Sequence, residues 1–461
     1  MTLSIVIMAA GKGTRMKSAT PKVLHRLAGQ PLLGHVLDAA RPLKAQHCVI
    51  ITGHEAQRVE HWVQAIEPAA QCVRQMPQKG TGHAVQQAVP ELPDEGTTLI
   101  LNGDVPLITS ATMQSLVQTC AGRHLALLTI SLQDPSGYGR IVRDDAGRVQ
   151  GIVEHKDANP AELKIREVYT GAMAAPSAWL KQAVMQLNNS NAQGEYYLTD
   201  VVSAAVGAGL QVLSCEAGDE SEVLGVNSAS QLADLERRLQ RRQAHELMEA
   251  GVRLADPARF DLRGQLSCGQ DVEIDVNCIF EGQVTLGHGV RIGANCCIRN
   301  ASIADGAVIH PYTHMDGESL GVKVGPGAVV GPYARLRPGA ELGAEVHIGN
   351  FVEVKNATLA DGAKANHLAY LGDATVGERV NFGAGSITAN YDGANKHRTI
   401  IGADAHIGSN CVLVAPVSVG EGATIGGGST ISKDAPAGQL TVARARQTTL
   451  PGWKRPAKNK K

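Results

Sequence analysis

Residues 322–355, VKVGPGAVVGPYARLRPGAELGAEVHIGNFVEVK, contain the pattern that predicts the fold of the second half of this chain. Starting at Val324, every sixth residue is aliphatic as far as Val354. An α-helix repeats every 3.6 residues and a strand every two, so neither produces a period of six. Such a period is typical of hexapeptide repeats, whose hexads wind into the coils of a left-handed parallel β-helix.

The same period continues on both sides of this stretch, and small residues, often glycine, follow the aliphatic positions. A generic all-β domain is the alternative, but it does not account for the period. Because no single coil can bury its apolar faces alone, the stack must contain many coils. The narrow interior of such a coil also explains 51 glycines and an aromatic content of 3%. The predicted inward positions are Ile274, Phe280, Leu286, Ile292 and Ile298; then Val324, Val330, Leu336, Leu342, Ile348 and Val354; then Ile401, Ile407, Leu413, Val419, Ile425 and Ile431.

The period is lost between Val354 and Ile401, where the segments NHLAY and NYDGANKH occur. We expect a looped-out insertion there that can reach a neighbouring subunit. β-Helices of this type commonly form trimers, so the repeat favours a homotrimer with active sites between chains.

The first part of the chain, to about residue 228, follows a different pattern. Short apolar runs such as SIVIMAA and TTLIL alternate with amphipathic stretches such as PLLGHVLDAA. This alternation predicts a Rossmann-like α/β domain with a largely parallel sheet. Ligands of such sheets bind at the carboxyl ends of the strands.

Between the two patterns lies a stretch with helical periodicity. Leu232, Leu235 and Leu239 share one helical face, with Ser230 as the predicted cap and Gly251 as the predicted end. The predicted organisation is therefore a domain over 1–229, a linker helix over 230–250 and a β-helix domain over 251–461.

The composition excludes several classes of protein. The 43 basic and 44 acidic side chains nearly cancel, which argues against a chain that coats nucleic acid or an acidic membrane. We expect no signal peptide and no membrane insertion, because no apolar run is long enough. The nine cysteines are scattered and predict reduced thiols in a cytoplasmic protein.

The turn after the first apolar run, GKGTRM at residues 11–16, has two glycines and nearby cations. It matches neither the Walker motif nor the dinucleotide fingerprint, whose third glycine is replaced by Arg15. Backbone N–H groups together with Lys12, Arg15 and Lys22 suit a polyphosphate anion. An ordinary strand-to-helix turn remains the alternative.

Asp104 ends the apolar strand TTLILNGD. A carboxylate in this position is a candidate Mg²⁺ ligand, since Mg²⁺ is held by carboxylates together with substrate phosphates. A turn-capping aspartate is equally compatible with the sequence.

The motifs MAAGKGTRM, PKVLH, QKGTGHA, LNGDVPL, GYGRIV, GIVEHKDA and EVLGVN occur in this order. They are followed in the repeat half by ARLRPGAEL, GNFVEVKNA, NHLAYLGD and ITANYDGANKH. Over essentially its whole length the chain resembles the bifunctional family that joins an N-acetylglucosamine-1-phosphate uridyltransferase to a glucosamine-1-phosphate acetyltransferase. This resemblance implies synthesis of UDP-N-acetylglucosamine, a precursor of cell-wall polymers, from glucosamine 1-phosphate, acetyl-CoA and UTP, with Mg²⁺ as cofactor.

For the first half, the resemblance implies that Arg15 and Lys22 steady the phosphates and that Asp104 and Asn227 bind Mg²⁺. The implied contacts to UTP and the sugar nucleotide are Met8, Ala9, Ala10, Gly11, Lys22, Gln75, Gly80, Thr81, Asn102, Gly103, Asp104, Gly139, Glu154 and Asn227.

Two residues depart from the family pattern. Asn102 stands where a tyrosine is common, and Tyr169 stands where an asparagine usually contacts the substrate. The second departure concerns affinity for the sugar and not the type of reaction.

For the second half, the resemblance implies that His367 is the general base of acetyl transfer, a task that suits a neutral imidazole near pH 7. Gly427 replaces a common alanine at a position that the family uses through its backbone. The implied glucosamine 1-phosphate contacts are Arg337, Lys355, Tyr370, Asn381 and Lys396, and the implied acetyl-CoA contacts are Ala384, Asn390, Tyr391, Ser409, Gly427 and Arg444.

Two other functions compete with this interpretation. One is a pyrophosphorylase whose β-helix serves oligomerisation alone, and the other is a non-catalytic sugar-nucleotide sensor. The motifs NHLAY and NYDGANKH disfavour the first, while Lys22, Asp104, Asn227 and His367 disfavour the second.

Overall fold

The computed structural model describes residues 2–456 and 458. The chain divides into two compact units, Met1–Leu239 and Gln240–Lys461. This division falls inside a long helix, whereas the sequence predicts boundaries at residues 229 and 250. Those boundaries remain predictions. Among the described residues, no helix has both the length and the apolar character that a membrane span requires.

The first unit is an α/β domain. Its strands are β1 Leu3–Ala9, β2 Arg26–Leu27, β3 Gln30–Pro31, β4 His47–Thr52, β5 Gln71–Arg74, β6 Thr97–Asn102, β7 Leu125–Ser131, β8 Gly139–Arg143, β9 Val149–Val153, β10 Glu167–Pro176 and β11 Val212–Glu216. Its α-helices are α1 Leu32–Ala40, α2 Ala56–Ile66, α3 Thr81–Ala88, α4 Ser110–Cys120, α5 Ser177–Met185 and α6 Asp200–Gly207, followed by α7 Ala229–Glu249, which continues into the second unit. Short 3₁₀ turns lie at Thr14–Met16, Lys22–Leu24, Arg41–Leu43, Val89–Glu91, Glu162–Lys164 and Glu220–Val223.

The main sheet has the strand order β11-β7-β10-β6-β1-β4-β5. Strands β1, β4, β5 and β6 pair in parallel, as do β7 and β11, which agrees with the α/β prediction. Strand β10 differs, because it is antiparallel to both β6 and β7. It follows the β8–β9 hairpin and not a crossover helix, so it enters the sheet in the opposite direction.

The parallel strands bring separate turns of the chain to one edge. Met8 of β1 is in register with Asn102 of β6, and Ala9 is in register with Thr52 of β4. Because the carboxyl ends of parallel strands share an edge, the glycine turn after β1 and the Gly103-Asp104 turn after β6 become neighbours.

A side-chain cap marks the start of helix α7, and a glycine in the left-handed conformation marks its end. The Ser228 hydroxyl accepts a hydrogen bond from the backbone N–H of Gln231 at 3.2 Å, so Ser228 is the cap and the predicted Ser230 is wrong. The helix begins at Ala229, the residue after Ser228. Gly251 ends the helix as predicted, with φ of +96° and with its N–H bonded to Met248.

The second unit is a stack of short parallel strands. They are β12 Arg253–Leu254, β13 Phe260–Cys268, β14 Glu273–Ile274, β15 Cys278–Leu286, β16 Arg291–Ile292, β17 Cys297–Ile303, β18 Val308–Ile309, β19 His314–Asp316, β20 Val322–Val324, β21 Val329–Val330, β22 Arg335–Leu336, β23 Ala340–Leu342, β24 His347–Asn350, β25 Glu353–Lys355, β26 Thr358–Leu359, β27 Lys364–His367, β28 Tyr370–Gly372, β29 Ala374–Val376, β30 Asn381–Phe382, β31 Ile387–Ala389, β32 Thr399–Ile401, β33 His406–Ile407, β34 Val412–Val414, β35 Val417–Val419, β36 Thr424–Ile425, β37 Thr430–Ile431 and β38 Leu440–Thr441, with a 3₁₀ turn at Pro257–Arg259.

Each face of this stack pairs a strand with the strand one coil later, as in β21 with β24 and β22 with β25. All the predicted hexad positions from Ile274 to Ile431 are buried in one continuous apolar core. The structure therefore confirms the parallel β-helix that the six-residue period predicts.

The predicted insertion is also present, within a single coil. Val329 pairs with His347 eighteen residues later, whereas Asn381 pairs with His406 twenty-five residues later. The additional residues form a loop that an antiparallel bridge between Tyr391 and Lys396 closes. The NHLAY segment is not looped out, since its ends belong to β27 and β28.

Adjacent isoleucines of β32 give a matched test of this core. Ile401 is 1% exposed and Ile400 is 50% exposed. We expect Ile401→Ala to lower the free energy of unfolding by about 2–5 kcal/mol, because it removes buried methylenes and leaves a cavity. Ile400→Ala should change it by less than about 0.5 kcal/mol. Urea unfolding followed by circular dichroism measures both, and equal effects would contradict the inward assignment.

Candidate functional site

The glycine turn after β1 lies against the side chain of Lys22. Gly13 has φ of +58°, and a β-carbon added there would lie 2.8 Å from Lys22 Cβ. A β-carbon at Gly11 would lie 4.0 Å from Lys22 Nζ. The glycines therefore provide the room in which this lysine reaches the strand edge.

Lys22 joins two residues that are distant in sequence. Its ammonium group donates to Asp104 Oδ2 in a short ion pair and to Asn227 Oδ1 at 3.2 Å. The Lys22 side chain is 14% exposed and that of Asp104 is 19% exposed, so water screens their attraction less than on an open surface. One lysine thus holds the carboxylate and the amide oxygen at the same point.

An open cavity of about 330 Å³ lies beside this group. It brings together most of the residues expected to contact the nucleotide, while Lys12, Gln78 and Glu195 also line it. The lining residues are Met8, Ala9, Ala10, Gly11, Lys12, Lys22, Val23, Gln75, Gln78, Gly80, Thr81, Ala84, Asn102, Asp104 and Glu195.

Hydrogen bonds from residues outside the QKGTGHA segment hold that segment beside the cavity. Gln75 is 3% exposed, and its amide donates to the Gly80 carbonyl at 2.9 Å. Thr81, the first residue of α3, accepts a hydrogen bond from the Leu198 N–H at 3.0 Å. These contacts fix the entry of α3 next to the cavity.

Gly139 and Glu154 form a second group outside the cavity lining. Thr199 donates a hydrogen bond to Glu154 Oε1 at 3.0 Å, and a β-carbon at Gly139 would lie 3.7 Å from Glu154 Oε2. Burial raises the pKa of the Glu154 carboxyl, and the carboxylates of Asp157 and Asp200 raise it further, against the effect of Thr199.

Tyr138 precedes Gly139 in the chain, and the charge of Asp104 influences its phenol. Burial raises the pKa of its phenol first, and the negative charges of Glu220 and Asp104 add to the shift. Tyr138 thus lies within electrostatic reach of Asp104, while the next residue, Gly139, lies at Glu154.

Three residues that were expected to contact the nucleotide differ in how they lie relative to the cavity. Arg15 is exposed and does not line the cavity. Gly103 acts through its backbone, since its N–H donates to the Met8 carbonyl at 2.9 Å. Asn102 lines the cavity and packs against Gly171.

Of the polar lining residues that were not expected as contacts to the nucleotide, two lie in motifs that the sequence analysis singles out. Lys12 belongs to the glycine turn and Gln78 to the QKGTGHA segment. Glu195 comes from the polar loop NNSNAQGE, whose composition gives no indication of a site.

Asp104 and Asn227 fit a hard divalent cation, since both offer oxygen and both contact the Lys22 ammonium. Within residues 2–456 and 458, no three His, Cys, Asp or Glu side chains gather in a metal-binding cluster. A divalent cation here would therefore take its other ligands from substrate and water.

In the β-helix, His367 and several expected acetyl-CoA contacts stand in one column, with each residue one coil above the last. Gly385 N–H bonds to the His367 carbonyl, Asn410 N–H to the Ala384 carbonyl and Gly428 N–H to the Ser409 carbonyl. Arg444 reaches the same column, because its guanidinium donates to the Gly427 carbonyl at 2.6 Å. His367 itself is exposed, and its Nδ1 is 2.7 Å from Asn350 Oδ1.

Three cations gather on a different edge of the coils. The Lys396 ammonium, then partial burial, then Arg337 lower the pKa of Lys355, against the effect of Asp373. Arg337 also donates to Glu353 at 2.8 Å. Neighbouring ammonium groups repel each other, so this arrangement favours a bound anion.

The remaining expected residues divide between these places. Asn390 is buried, and its amide donates to Asp373 and approaches the Tyr370 hydroxyl at 3.5 Å, which puts it with the cations and not with the His367 column. Tyr391 is 62% exposed on the inserted loop. Asn381 lies on β30, the strand that leads to Ala384, with its amide 3.1 Å from His406 Nδ1.

Each half of the chain matches the model of a known protein family. Residues 5–184 match the model of the MobA-like NTP transferase domain. Residues 321–356 and 398–433 match the bacterial transferase hexapeptide model.

Full-length relatives are also similar to this chain. The bifunctional protein GlmU of Methylibium petroleiphilum is 70% identical over 99% of this chain and 100% of its own length. The proteins of the same name from Polaromonas naphthalenivorans and Bordetella parapertussis are 65% and 57% identical, over 99% of this chain and 98% and 99% of their own lengths.

The raised pKa of Glu154 predicts a pH effect on stability. A carboxyl with a raised native pKa takes up a proton on folding, so its contribution is greatest below the ordinary value of 4.5 and is lost as the pH rises through the native value. The unfolding free energy of Glu154→Gln relative to wild type should therefore increase as the pH rises above the ordinary value of 4.5. Urea titrations measure this, with exposed Glu95→Gln as control; parallel curves for Glu154→Gln and wild type would contradict it.

Proposed function

The chain belongs to the GlmU family of bifunctional proteins, and we propose how its residues divide the two reactions. It is a bifunctional enzyme. The hexapeptide-repeat half transfers an acetyl group from acetyl-CoA to glucosamine 1-phosphate. The NTP transferase half transfers the uridylyl group of UTP to N-acetylglucosamine 1-phosphate and releases pyrophosphate.

We propose that the cavity beside Lys22 binds UTP. The supporting observation is the Lys22–Asp104–Asn227 group at the strand edge, next to the backbone of Met8 to Gly11 and to Gly80 and Thr81. Lys22, with Lys12 on the same wall, would neutralise the triphosphate, and Arg15 would approach from the exposed turn. A phosphate oxygen of the sugar phosphate then attacks the α-phosphorus as the bond to pyrophosphate breaks.

These residues act by position and charge. Holding both phosphates at one edge removes the entropy cost of their encounter, and fixed cations balance the charge on the leaving group. Gly139 and Glu154 would hold the sugar beside Tyr138. The family generally uses a divalent metal, and we propose Mg²⁺ at Asp104 and Asn227, where it would supply Lewis-acid charge stabilisation to the phosphates.

For acetyl transfer we propose that His367 is the general base. When Nδ1 donates to Asn350 Oδ1, Nε2 keeps its lone pair toward solvent. As the sugar amine attacks the thioester carbonyl, Nε2 accepts the amine proton, the C–N bond forms and the C–S bond breaks. The proton can then pass to the coenzyme A thiolate.

We propose that Arg337, Lys355 and Lys396 bind the phosphate of glucosamine 1-phosphate. A phosphate among them would relieve the repulsion that lowers the pKa of Lys355. Tyr370 and the buried Asn390 border the same place and would contact the sugar. Ala384, Ser409, Gly427 and Arg444, in the His367 column, would bind acetyl-CoA.

The separation of these two places supports a homotrimer. His367 is the last residue of β27, and Gly372, which pairs with Lys355, is the last residue of β28. The five residue steps between them span on the order of 15 Å at about 3.3 Å per residue. The amine and the phosphate of one sugar ring are closer together than this. We therefore propose that the base and the cations serving one substrate come from different chains, with Asn381 and Tyr391 completing the site from the neighbour.

An exposed column of apolar side chains supports the same assembly. We name Tyr312, Tyr333, Phe351 and Leu368 the apolar column; its members are 49–61% exposed, and Tyr312 and Tyr333 stack with ring centres 4.9 Å apart. Each has positive φ, a backbone conformation that bulky side chains adopt at a cost. The exposure of these bulky side chains is explained if a second chain covers this column. The nine free thiols support our further proposal of a cytoplasmic enzyme.

Two substitutions test the division of labour, each serving as the control for the other. His367→Ala should lower acetyl transfer by about 10²- to 10⁴-fold and leave uridylyl transfer near normal, because it removes the base alone. Asp104→Ala should lower uridylyl transfer by about 10²-fold or more and spare acetyl transfer. Release of free thiol and of pyrophosphate, followed separately, measures the two rates. Loss of both reactions in either variant would contradict separate sites.

Phe351→Asn tests the trimer. Asparagine tolerates the left-handed backbone, so the isolated chain should fold, while the loss of an apolar contact should weaken association. Sedimentation should give three chain masses for wild type and fewer for the variant, with acetyl transfer reduced and uridylyl transfer retained. Ile66→Asn, which alters an exposed residue of α2, should remain trimeric. An unchanged mass for Phe351→Asn would contradict this interface.

A further inference from the structure

The loop inserted into the β-helix brings Lys396 next to Lys355. The loop begins after Asn390 and rejoins the coil at Thr399, whose N–H donates to the Asp373 carbonyl at 3.0 Å. The Asp373 N–H donates in turn to the Lys355 carbonyl, one coil earlier, at 3.0 Å. Lys396 comes three residues before Thr399 and therefore leads into the column in which Lys355 stands.

This position is electrostatically unfavourable for Lys396. Its ammonium group is the largest of the influences that lower the pKa of Lys355, so the two positive charges are close together. Lys396 is exposed, and it makes no ion pair with a carboxylate in the part of the chain that the structure describes. A long lysine side chain at the surface can turn away from a like charge. The backbone that carries Lys396 must therefore direct it to this place.

The carboxylate of Asp392 holds that backbone. Its Oδ1 accepts hydrogen bonds from the N–H groups of Ala394 at 2.8 Å and Asn395 at 2.6 Å. Its Oδ2 lies 2.6 Å from His397 Nε2. These partners come from both sides of Lys396 in the chain, so one carboxylate fixes the backbone before and after the lysine.

The two arms of the loop pair next to this carboxylate. Tyr391 and Lys396 form an antiparallel bridge, and the His397 N–H donates to the Asn390 carbonyl at 2.8 Å. Without the carboxylate of Asp392, two N–H groups and one imidazole would lose their partner. A surface loop with few remaining contacts samples other conformations.

We infer that Asp392, together with His397, is a positioning residue of acetyl transfer that holds the inserted loop in the conformation in which Lys396 stays beside Lys355. This inference rests on the proposed function, since it assumes that the phosphate of the sugar binds among these cations. The repulsion between the two ammonium groups is then overcome during folding, and binding does not have to bring them together. Asp392 and His397 act through Lys396 and need not touch the substrate.

The first test is Asp392→Ala. We expect the KM for glucosamine 1-phosphate to rise about 10- to 100-fold, as for the loss of one charge-assisted hydrogen bond to the phosphate. The kcat of acetyl transfer should stay within about threefold of wild type, because the lost contact is a binding contact. Asp392→Asn keeps an oxygen that can accept from both N–H groups, so its KM should lie between the two. An unchanged KM in Asp392→Ala would overturn the inference.

Lys396→Ala decides whether Asp392 acts through this lysine. Alone, it should raise the KM for glucosamine 1-phosphate. Adding Asp392→Ala should then raise that KM by less than about twofold more, because the effects of coupled residues are not additive. If Asp392→Ala had the same effect with and without Lys396, the inference would fail.

The titration of Lys355 tests the position of Lys396 without any substrate. NMR of the protein with ¹³C-methylated lysines measures the pKa, and Lys355→Arg assigns the signal. In Asp392→Ala and in Lys396→Ala the pKa of Lys355 should rise toward the ordinary value of 10.5, because the neighbouring ammonium group has moved or is absent. A pKa that stayed as low as in wild type in Asp392→Ala would contradict the positioning role.

Asp305→Ala is the matched control. Its exposed carboxylate also accepts a hydrogen bond from a backbone N–H, that of His288 at 2.8 Å, at a corner of earlier coils. This variant should leave the KM for glucosamine 1-phosphate and the pKa of Lys355 unchanged; equal effects in both variants would indicate general loosening of the β-helix and overturn the inference. Wild type that released no thiol from acetyl-CoA with glucosamine 1-phosphate would instead overturn the proposed function.

Discussion

The hydrogen bonds between successive coils fix which residues of the β-helix stand above one another. Each strand pairs with its equivalent one coil later, so residues far apart in sequence become vertical neighbours. This constraint forms both the continuous apolar interior and the exterior columns. His367, Ala384 and Ser409 share one such column because of that pairing. Lys355 and Arg337 share another edge for the same reason. The chemistry of this half is thus a consequence of backbone register.

In the first domain the corresponding constraint is the common edge of the parallel strands. The turns after β1 and β6 meet there, and Lys22 connects them to Asn227. The glycine turn contributes little chemistry of its own in the free protein. Its small residues provide space for the lysine, and the lysine lies between the oxygens of Asp104 and Asn227. A phosphate bound there would compete with these two oxygens for the Lys22 ammonium group, so phosphate binding would be coupled to reorganisation of this group.

Much of this structure follows from the sequence alone. The six-residue period predicted the β-helix and its inward residues, because every coil repeats the same local sequence pattern. The alternation of apolar runs and amphipathic stretches predicted the α/β domain, and the glycine turn indicated the sheet edge at which the cavity lies. Ser228 as helix cap, β10 as an antiparallel strand and Glu195 as a lining residue were not predictable, because each depends on packing between distant segments. The sequence also did not predict that Asn390 lies apart from the His367 column, since residues close together in the sequence lie on different edges of one coil.

The coil of twenty-five residues shows that strand pairing, and not the number of residues, keeps the stack aligned. Seven additional residues leave the coil at its edge and return without disturbing the ladder above or below. The edges of the coils are therefore positions at which chain length can vary freely while the architecture is conserved. A fold built in this way can acquire new surface chemistry by lengthening one turn, and its rigid interior needs no compensating change.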